Sequence, residues 1–301
     1  MAAIYIISIV IGILLIVSSG ATGAFGVIFG LILLGGGAFM LCRSLDIKIP
    51  LRKTSRNELS FAERDRQNRE NRRKAFSEML LNLRPAEIGR SGEKHNRNLV
   101  IELGEISCKG LTKSTSLKKL QTFIAIDVET TGIKVSGNDI IEIAAIKFVN
   151  FEPVEIFSTL VHPRKGNTIP ADATAVNHIT NEMVANAPLF YEIIPSLDAF
   201  LGKYPLVAHN ATFDIKHLYV NGLDSVAKRI VFDTYDISKK MCKDAYDHKL
   251  ATICEEYGIF FDGAHRASAD ALACGLLFVE FLIEKRECYT LDGLKKEAAA
   301  G

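Results

Sequence analysis

Residues 123–132 read FIAIDVETTG, an apolar run that presents two carboxylates one residue apart and then stops at a glycine. Side chains alternate faces along a strand, so Asp127 and Glu129 project from one side and Val128 from the other. Two like charges sharing one site repel, and without compensation one of them is pushed towards protonation. A positive partner is therefore expected nearby. Oxygen ligands at this spacing suit a hard divalent cation such as Mg²⁺ or Mn²⁺. The plainer reading of a lone D-x-E is the solvated end of a strand.

Two further stretches weigh on that choice. HNATFD (residues 209–214) follows the strand-like PLVAH and places Asp214 in the first turns of a helix, from which it can face back to the strand end bearing Asp127. DGAHRASADA (residues 262–271) holds His265 and Asp270 five positions apart. On one continuous helix they would lie about 140° apart. The spacing therefore predicts His265 in the loop before the helix, where Gly263 permits the bend, and Asp270 inside it.

The elements that must carry these groups are α/β. Strand-like runs at TFIAIDVE, DIIEIAAIKFVN and EIFSTLVHP are separated by turn residues, which predicts an antiparallel meander. Helical periodicity runs from about Pro188 to Lys203, and strands PLVAH and RIVFD then alternate with helices. The expected product is a mixed sheet with helices packed on it.

Charge divides the chain into three blocks. Residues 1–42 carry no charged side chain, residues 43–120 carry 19 Lys and Arg against 10 Asp and Glu, and the remainder carries 17 against 25. An anchor, a basic connector and an acidic body fit this asymmetry. The first block is too long and uninterrupted for a signal peptide and lacks a basic start. A break at SSGATG (residues 18–23) leaves Ala2–Ser18 and Gly23–Cys42, each near the length of one bilayer crossing, and predicts a transmembrane hairpin. One long kinked span is the alternative. The cluster Arg43, Lys48, Arg52, Lys53 and Arg56 places the rest of the chain in the cytoplasm by the positive-inside rule. Six scattered cysteines without a C-x-x-C pair agree with a reducing compartment.

A helical connector is expected from Ser55, with Glu58 completing a capping box, to Pro85. Phe76, Met79, Leu80 and Leu83 form an apolar stripe suited to docking on the next domain or on a second copy. Its arginines suit anionic lipid, nucleic-acid backbone or a solvated stalk. Four segments result: an anchor over 1–43, a basic, partly helical linker over 44–119, a catalytic domain over 120–286 and a tail over 287–301.

With these motifs in order, residues 122–284 resemble the DEDDh 3′→5′ exonucleases, the family of the DNA polymerase III epsilon subunit and RNase T. IDVETTG carries Asp127 and Glu129, VAHNATFD carries Asp214, and HRASADA carries His265 and Asp270. IPADATAVNHITNEMVANAP and HKLATICEEYGI look like the segments that stand between the family's motifs. Asn177-His178 and Ser268 depart from the common pattern, which bears on substrate preference. The resemblance implies a ribonuclease H-like fold with a five-stranded mixed sheet. It implies two Mg²⁺ or Mn²⁺ ions held by Asp127, Glu129, Asp214 and Asp270, with His265 taking the proton of the attacking water. It also implies a terminal nucleotide held by Thr130, Thr131, Gly132, Asn210 and Phe213, the substrate being a single-stranded DNA or RNA 3′ end.

Several conspicuous residues have plainer readings. Asp233 fits a helix N-cap better than a metal ligand. His209 fits either substrate contact or a hydrogen-bonded loop, and Phe213 either a substrate wall or core. His95, His162, His178, His217 and His248 show no ligand pairing. The functional alternative is a non-catalytic module that binds nucleic acid or a protein partner at the membrane.

Overall fold

The computed structural model describes residues 61–92, 106, 108–112 and 114–300. The chain divides into two units, Met1–Ala62 and Glu63–Gly301. The hairpin expected over residues 2–42, the basic cluster over 43–56 and the Ser55–Glu58 capping box lie outside the described residues. Among the described residues, no helix is long and apolar enough to cross a membrane.

The second unit is built on one mixed sheet. Strands β2 (Thr122–Thr130), β3 (Ile140–Val149) and β4 (Glu152–Leu160) form the expected antiparallel meander. Asn150 and Phe151, both at positive φ, make the tight turn between β3 and β4. Strands β5 (Leu206–Ala208) and β6 (Val231–Asp233) extend the sheet in parallel on the other side of β2. A two-residue strand β1 (Arg84–Pro85) pairs in parallel with β4, so the order is β1-β4-β3-β2-β5-β6. Among the described residues the sheet thus has six strands, not five. The extra one belongs to the connector, and two residues carry no periodicity to betray it. A proline is tolerated there because β1 is an edge strand.

Strands β2 and β3 read as nearly continuous apolar runs because helices cover both faces. Phe123, Ala125, Ala144, Ile146 and Phe148 pack beneath helix α9 (Ala267–Arg286). Ile124, Ile126, Ile143 and Ala145 pack with helices α5 (Phe190–Leu201) and α6 (Ala211–Val220). Helix α9 is buried along nearly its whole length and is apolar on most sides, as a central helix must be. It approaches the sheet at Gly275, where a Cβ would stand 2.3 Å from the Phe148 ring and 3.0 Å from Ala125. That approach fixes how far the start of α9 stands from the end of β2.

Shorter helices complete the unit: α2 (Leu117–Leu120), α3 (Ala171–Asn177), α4 (Asn181–Val184), α7 (Thr234–Met241) and α8 (Leu250–Glu256). The stretch expected as a tail contains α10 (Leu291–Ala300), whose Leu294 and Ala298 are buried. The connector helix α1 (Phe61–Leu81) docks on the domain, one of the two roles its stripe suits. Phe76 and Leu83 are buried and Leu80 packs against the core, while Met79 stays 38% exposed.

Candidate active site

The site begins where β5 ends. Strand β5 pairs with β2 only as far as Ala125, and the chain then turns at Asn210, which takes the left-handed conformation that asparagine tolerates (φ 64°). The Val128 N–H, beyond the reach of β5, donates to Asp214 Oδ1 at 3.1 Å. Asp214 thus reaches the strand end from helix α6, as its position after PLVAH predicts. Asp233 fixes this turn by accepting from Asn210 N at 3.0 Å and Ala211 N at 2.9 Å. It also accepts from Tyr235 N at 2.9 Å as the N-cap of α7, so the capping reading holds and extends to two helices.

From the other side, β3 brings Glu142 directly opposite Glu129. Glu142 is buried, and it accepts from Arg266 Nη2 at 2.7 Å, Arg266 Nε at 3.1 Å and Ala267 N at 3.0 Å. This bidentate pair ties the start of α9 to the sheet. Just ahead of it, Gly263 and His265 take positive φ (83° and 66°), and the His265 N–H donates to Asp270 Oδ2 at 2.9 Å. His265 lies in the loop and Asp270 in the first turn of α9, the division that their spacing predicts.

All five groups line one cavity of about 610 Å³. Ligand atoms of Glu129, His265 and Asp270 lie within 4.8 Å of one another, whereas Asp127 and Asp214 stand deeper in the same cavity. Burial, followed by the charges of Asp214, Asp270, Glu129 and Glu142, holds the Asp127 carboxyl well above the usual range. Burial, with Asp270 and Glu142, pushes Glu129 up to about 8, against the opposing charge of Arg266. Burial raises Asp270 to about 6 and raises Asp214 as well. Hard oxygen donors that repel one another beside a guanidinium already bound to Glu142 fit a divalent metal ion.

A second cavity of about 520 Å³ adjoins the first, with Glu129 and Phe213 lining both. Thr130, Thr131 and Gly132 line it, while Asn210 lines the first. The hydroxyls of Thr130 and Thr131 are spent on the loop itself, donating to Gly132 O at 2.9 Å and Asn138 Oδ1 at 3.1 Å. Backbone and small size, more than these hydroxyls, are what the loop offers a ligand. Phe213 is half-buried and tilts against the buried His217 at 4.6 Å between ring centroids. His209 binds Thr234 Oγ1 at 2.9 Å and His248 O at 2.8 Å, and burial lowers its pKa to about 4. A neutral ring with hydrogen on Nε2 satisfies both bonds, which makes His209 a loop-bracing residue.

Glu142 and Arg266 escape the sequence reading, which marks Asn177 only as a departure from the family pattern. Glu142 is a lone acid in the apolar run IIEIAA, the same signal that marks Asp127, but its partner is visible only from strand register. Asn177 is buried, with its Nδ2 3.4 Å from Thr130 O and its Oδ1 accepting from Ile179 N, behind Glu129.

Residues 124–278 match the family described as Exonuclease (RNase_T). The chain belongs to the exonuclease family. The DNA polymerase III subunit epsilon of Treponema pallidum is 35% identical over 167 residues, which are 53% of this chain and 76% of that one. A PolC-type DNA polymerase III of Caldanaerobacter subterraneus is 34% identical over 169 residues, 55% of this chain but 12% of that one. The structure of Exonuclease X in complex with 5′ overhanging duplex DNA matches with a TM-score of 0.44 at 22% identity, over 58% of this chain and 99% of that one. The exonuclease domain therefore occupies the body of the chain, with its DEDDh residues gathered in one cavity.

The raised carboxyls set a pH dependence. A carboxyl whose pKa is higher in the folded state keeps a proton there that the unfolded chain has lost, so its contribution to stability declines as pH rises through the folded value. For Glu129 that window runs from about its unfolded value of 4.3 up to about 8. In metal-free protein, Glu129→Gln is expected to gain stability relative to wild type between pH 5 and 8. Mn²⁺ at pH 8 should raise the Tm of wild type more than that of the variant. Parallel stability–pH curves in chelator would show that the crowding is absent.

Proposed function

We propose that the protein is a metal-dependent 3′→5′ exonuclease that hydrolyses the terminal phosphodiester of a nucleic-acid 3′ end and releases a nucleoside 5′-monophosphate. The observation that carries this reading is the convergence of Asp127, Glu129, Asp214, His265 and Asp270 on one cavity. Asp127, Glu129, Asp214 and Asp270 would hold two Mg²⁺ or Mn²⁺ ions. When bound, such ions stabilise charge on the attacking and leaving oxygens of the phosphodiester.

The chain's own groups do the rest. His265 is exposed at the cavity rim, where its ring can take a proton from water, a role typically worth about 10²- to 10⁴-fold in rate. Arg266, by binding Glu142, keeps that loop against the sheet and offsets charge at Glu129. Phe213 and the Thr131–Gly132 turn border a second compartment of a size for one nucleotide, which favours a free end over an internal bond. The acidic balance of the body supports contact with a few nucleotides at a strand end.

The apolar first block supports a bilayer anchor through residues 2–42, with the exonuclease domain cytoplasmic and the basic connector near anionic lipid. The alternative, a binding module without catalysis, loses support from the complete set of acids and His265.

A single-stranded oligonucleotide labelled at its 5′ end should shorten stepwise from the 3′ end in Mn²⁺, and a closed circular strand should persist. EDTA or Asp127→Asn should reduce the rate by at least about 10³-fold, since the whole metal contribution is lost. Binding without cleavage by the wild type would favour the module, and cleavage of the circle would refute an end-specific enzyme. For the anchor, tags on both termini should be protected in intact cells and digested only after permeabilisation. A digested N-terminal tag in intact cells would exclude the hairpin.

A further inference from the structure

Helix α1 lies outside the span that matches the exonuclease family, yet it meets the wall of the active site. Arg69, Arg72, Arg73 and Phe76 recur at i, i+3, i+4 and i+7, which places them on one helical face. The Arg69 guanidinium pairs with Glu255 and stands 5.1 Å over the Phe260 ring. Arg72 Nη1 donates to Gly258 O at 3.0 Å. Gly258 is at positive φ, and a Cβ there would collide with Arg72. Arg73 Nε lies 3.6 Å from Asp262. Phe76 stacks on Phe261 with centroids 5.3 Å apart and an interplanar angle of 28°.

These contacts all fall between Glu255 and Asp262, the stretch that runs directly into Gly263 and His265. Phe261 and Ala264 also line the cavity that holds the acids. From the front, the loop is tied by Arg266 to Glu142 and by the His265 N–H to Asp270. From behind, Tyr257 ties the base of the stretch by donating to Glu284 and meeting the Phe281 ring, and the face of α1 backs the rest of it. Without Phe76 the Phe261 ring would lose its stacking partner, and three positive φ residues, Gly258, Gly263 and His265, leave the loop without a regular element to hold its course.

We propose that α1 is a positioning element of the active site: through Arg69, Arg72, Arg73 and Phe76 it holds the loop that places Phe261 and His265. The dependence of turnover on α1 rests on the proposed exonuclease function, whereas the dependence of loop order on it does not. The arginines of the connector that contact the domain therefore serve the enzyme itself, and whatever displaces α1 slows it.

The test uses the full chain, with amide hydrogen exchange and steady-state cleavage measured on the same preparations. Phe76→Ala and the triple variant Arg69→Gln, Arg72→Gln, Arg73→Gln should speed exchange at residues 258–266 about tenfold, while β2 amides keep their protection. Their kcat should fall at least about tenfold, more than KM rises, because displacement of a catalytic group by about 1 Å is enough for such a loss. Phe76→Leu should restore most of both, and Met79→Ala on the exposed side should match wild type. Should Phe76→Ala unfold, shown by loss of protection in β2, the triple variant decides. Unchanged exchange at 258–266 in a folded variant would overturn the proposal, and so would unchanged kcat in an active enzyme. If wild type itself cleaves nothing, the exonuclease reading fails and the exchange result alone decides whether α1 orders the loop.

Discussion

Carboxylates that would separate in water are confined around the end of one strand, and the surrounding structure is organised to keep them there. Two unit charges about 5 Å apart, at an effective dielectric near 20, repel by about 3 kcal/mol. Glu129 and Asp270 approach that closely, and Asp127 stands among four other acids. Three devices oppose the repulsion. Gly275 lets α9 close on the sheet, the Glu142–Arg266 pair pins the start of that helix, and Asp233 caps both α6 and α7 so that Asp214 reaches the open edge of β2. The first two act on α9 and the third on α6 and α7, and none is itself a proposed metal ligand.

The same confinement explains why the metal-free site holds protons. Keeping a proton on Asp127 or Glu129 removes a repulsion that burial makes expensive, so both carboxyls are raised. A divalent ion offers a better solution, because it binds the ionised oxygens and offsets several charges at once. Binding is then coupled to proton release, and the site's affinity depends on pH.

Much of this arrangement can be read from the sequence because its signals are local. Asp127 and Glu129 share a face by strand alternation, and the five-residue gap of His265 and Asp270 cannot be accommodated on one helical face. The meander and the helix carrying Asp214 follow from hydrophobic period and turn residues. What escapes depends on contacts between distant segments. Glu142 becomes part of the site only through its register opposite Glu129, and Arg266 only through Glu142. Strand β1 is two residues long and has no period. The stripe on α1 is legible, but its target, the Phe261 wall of the active site, is a matter of tertiary packing.

The most direct test of this account is calorimetric titration of metal-free protein with Mn²⁺ at pH 7 in buffers of different ionisation enthalpy, which yields the number of protons released per ion bound. Crowded carboxyls held above their usual range predict net release, about one proton or more per protein, and Glu129→Gln should reduce it. Tight binding of Mn²⁺ with no release of protons would contradict the account, since the acids would then be ionised before any metal arrives.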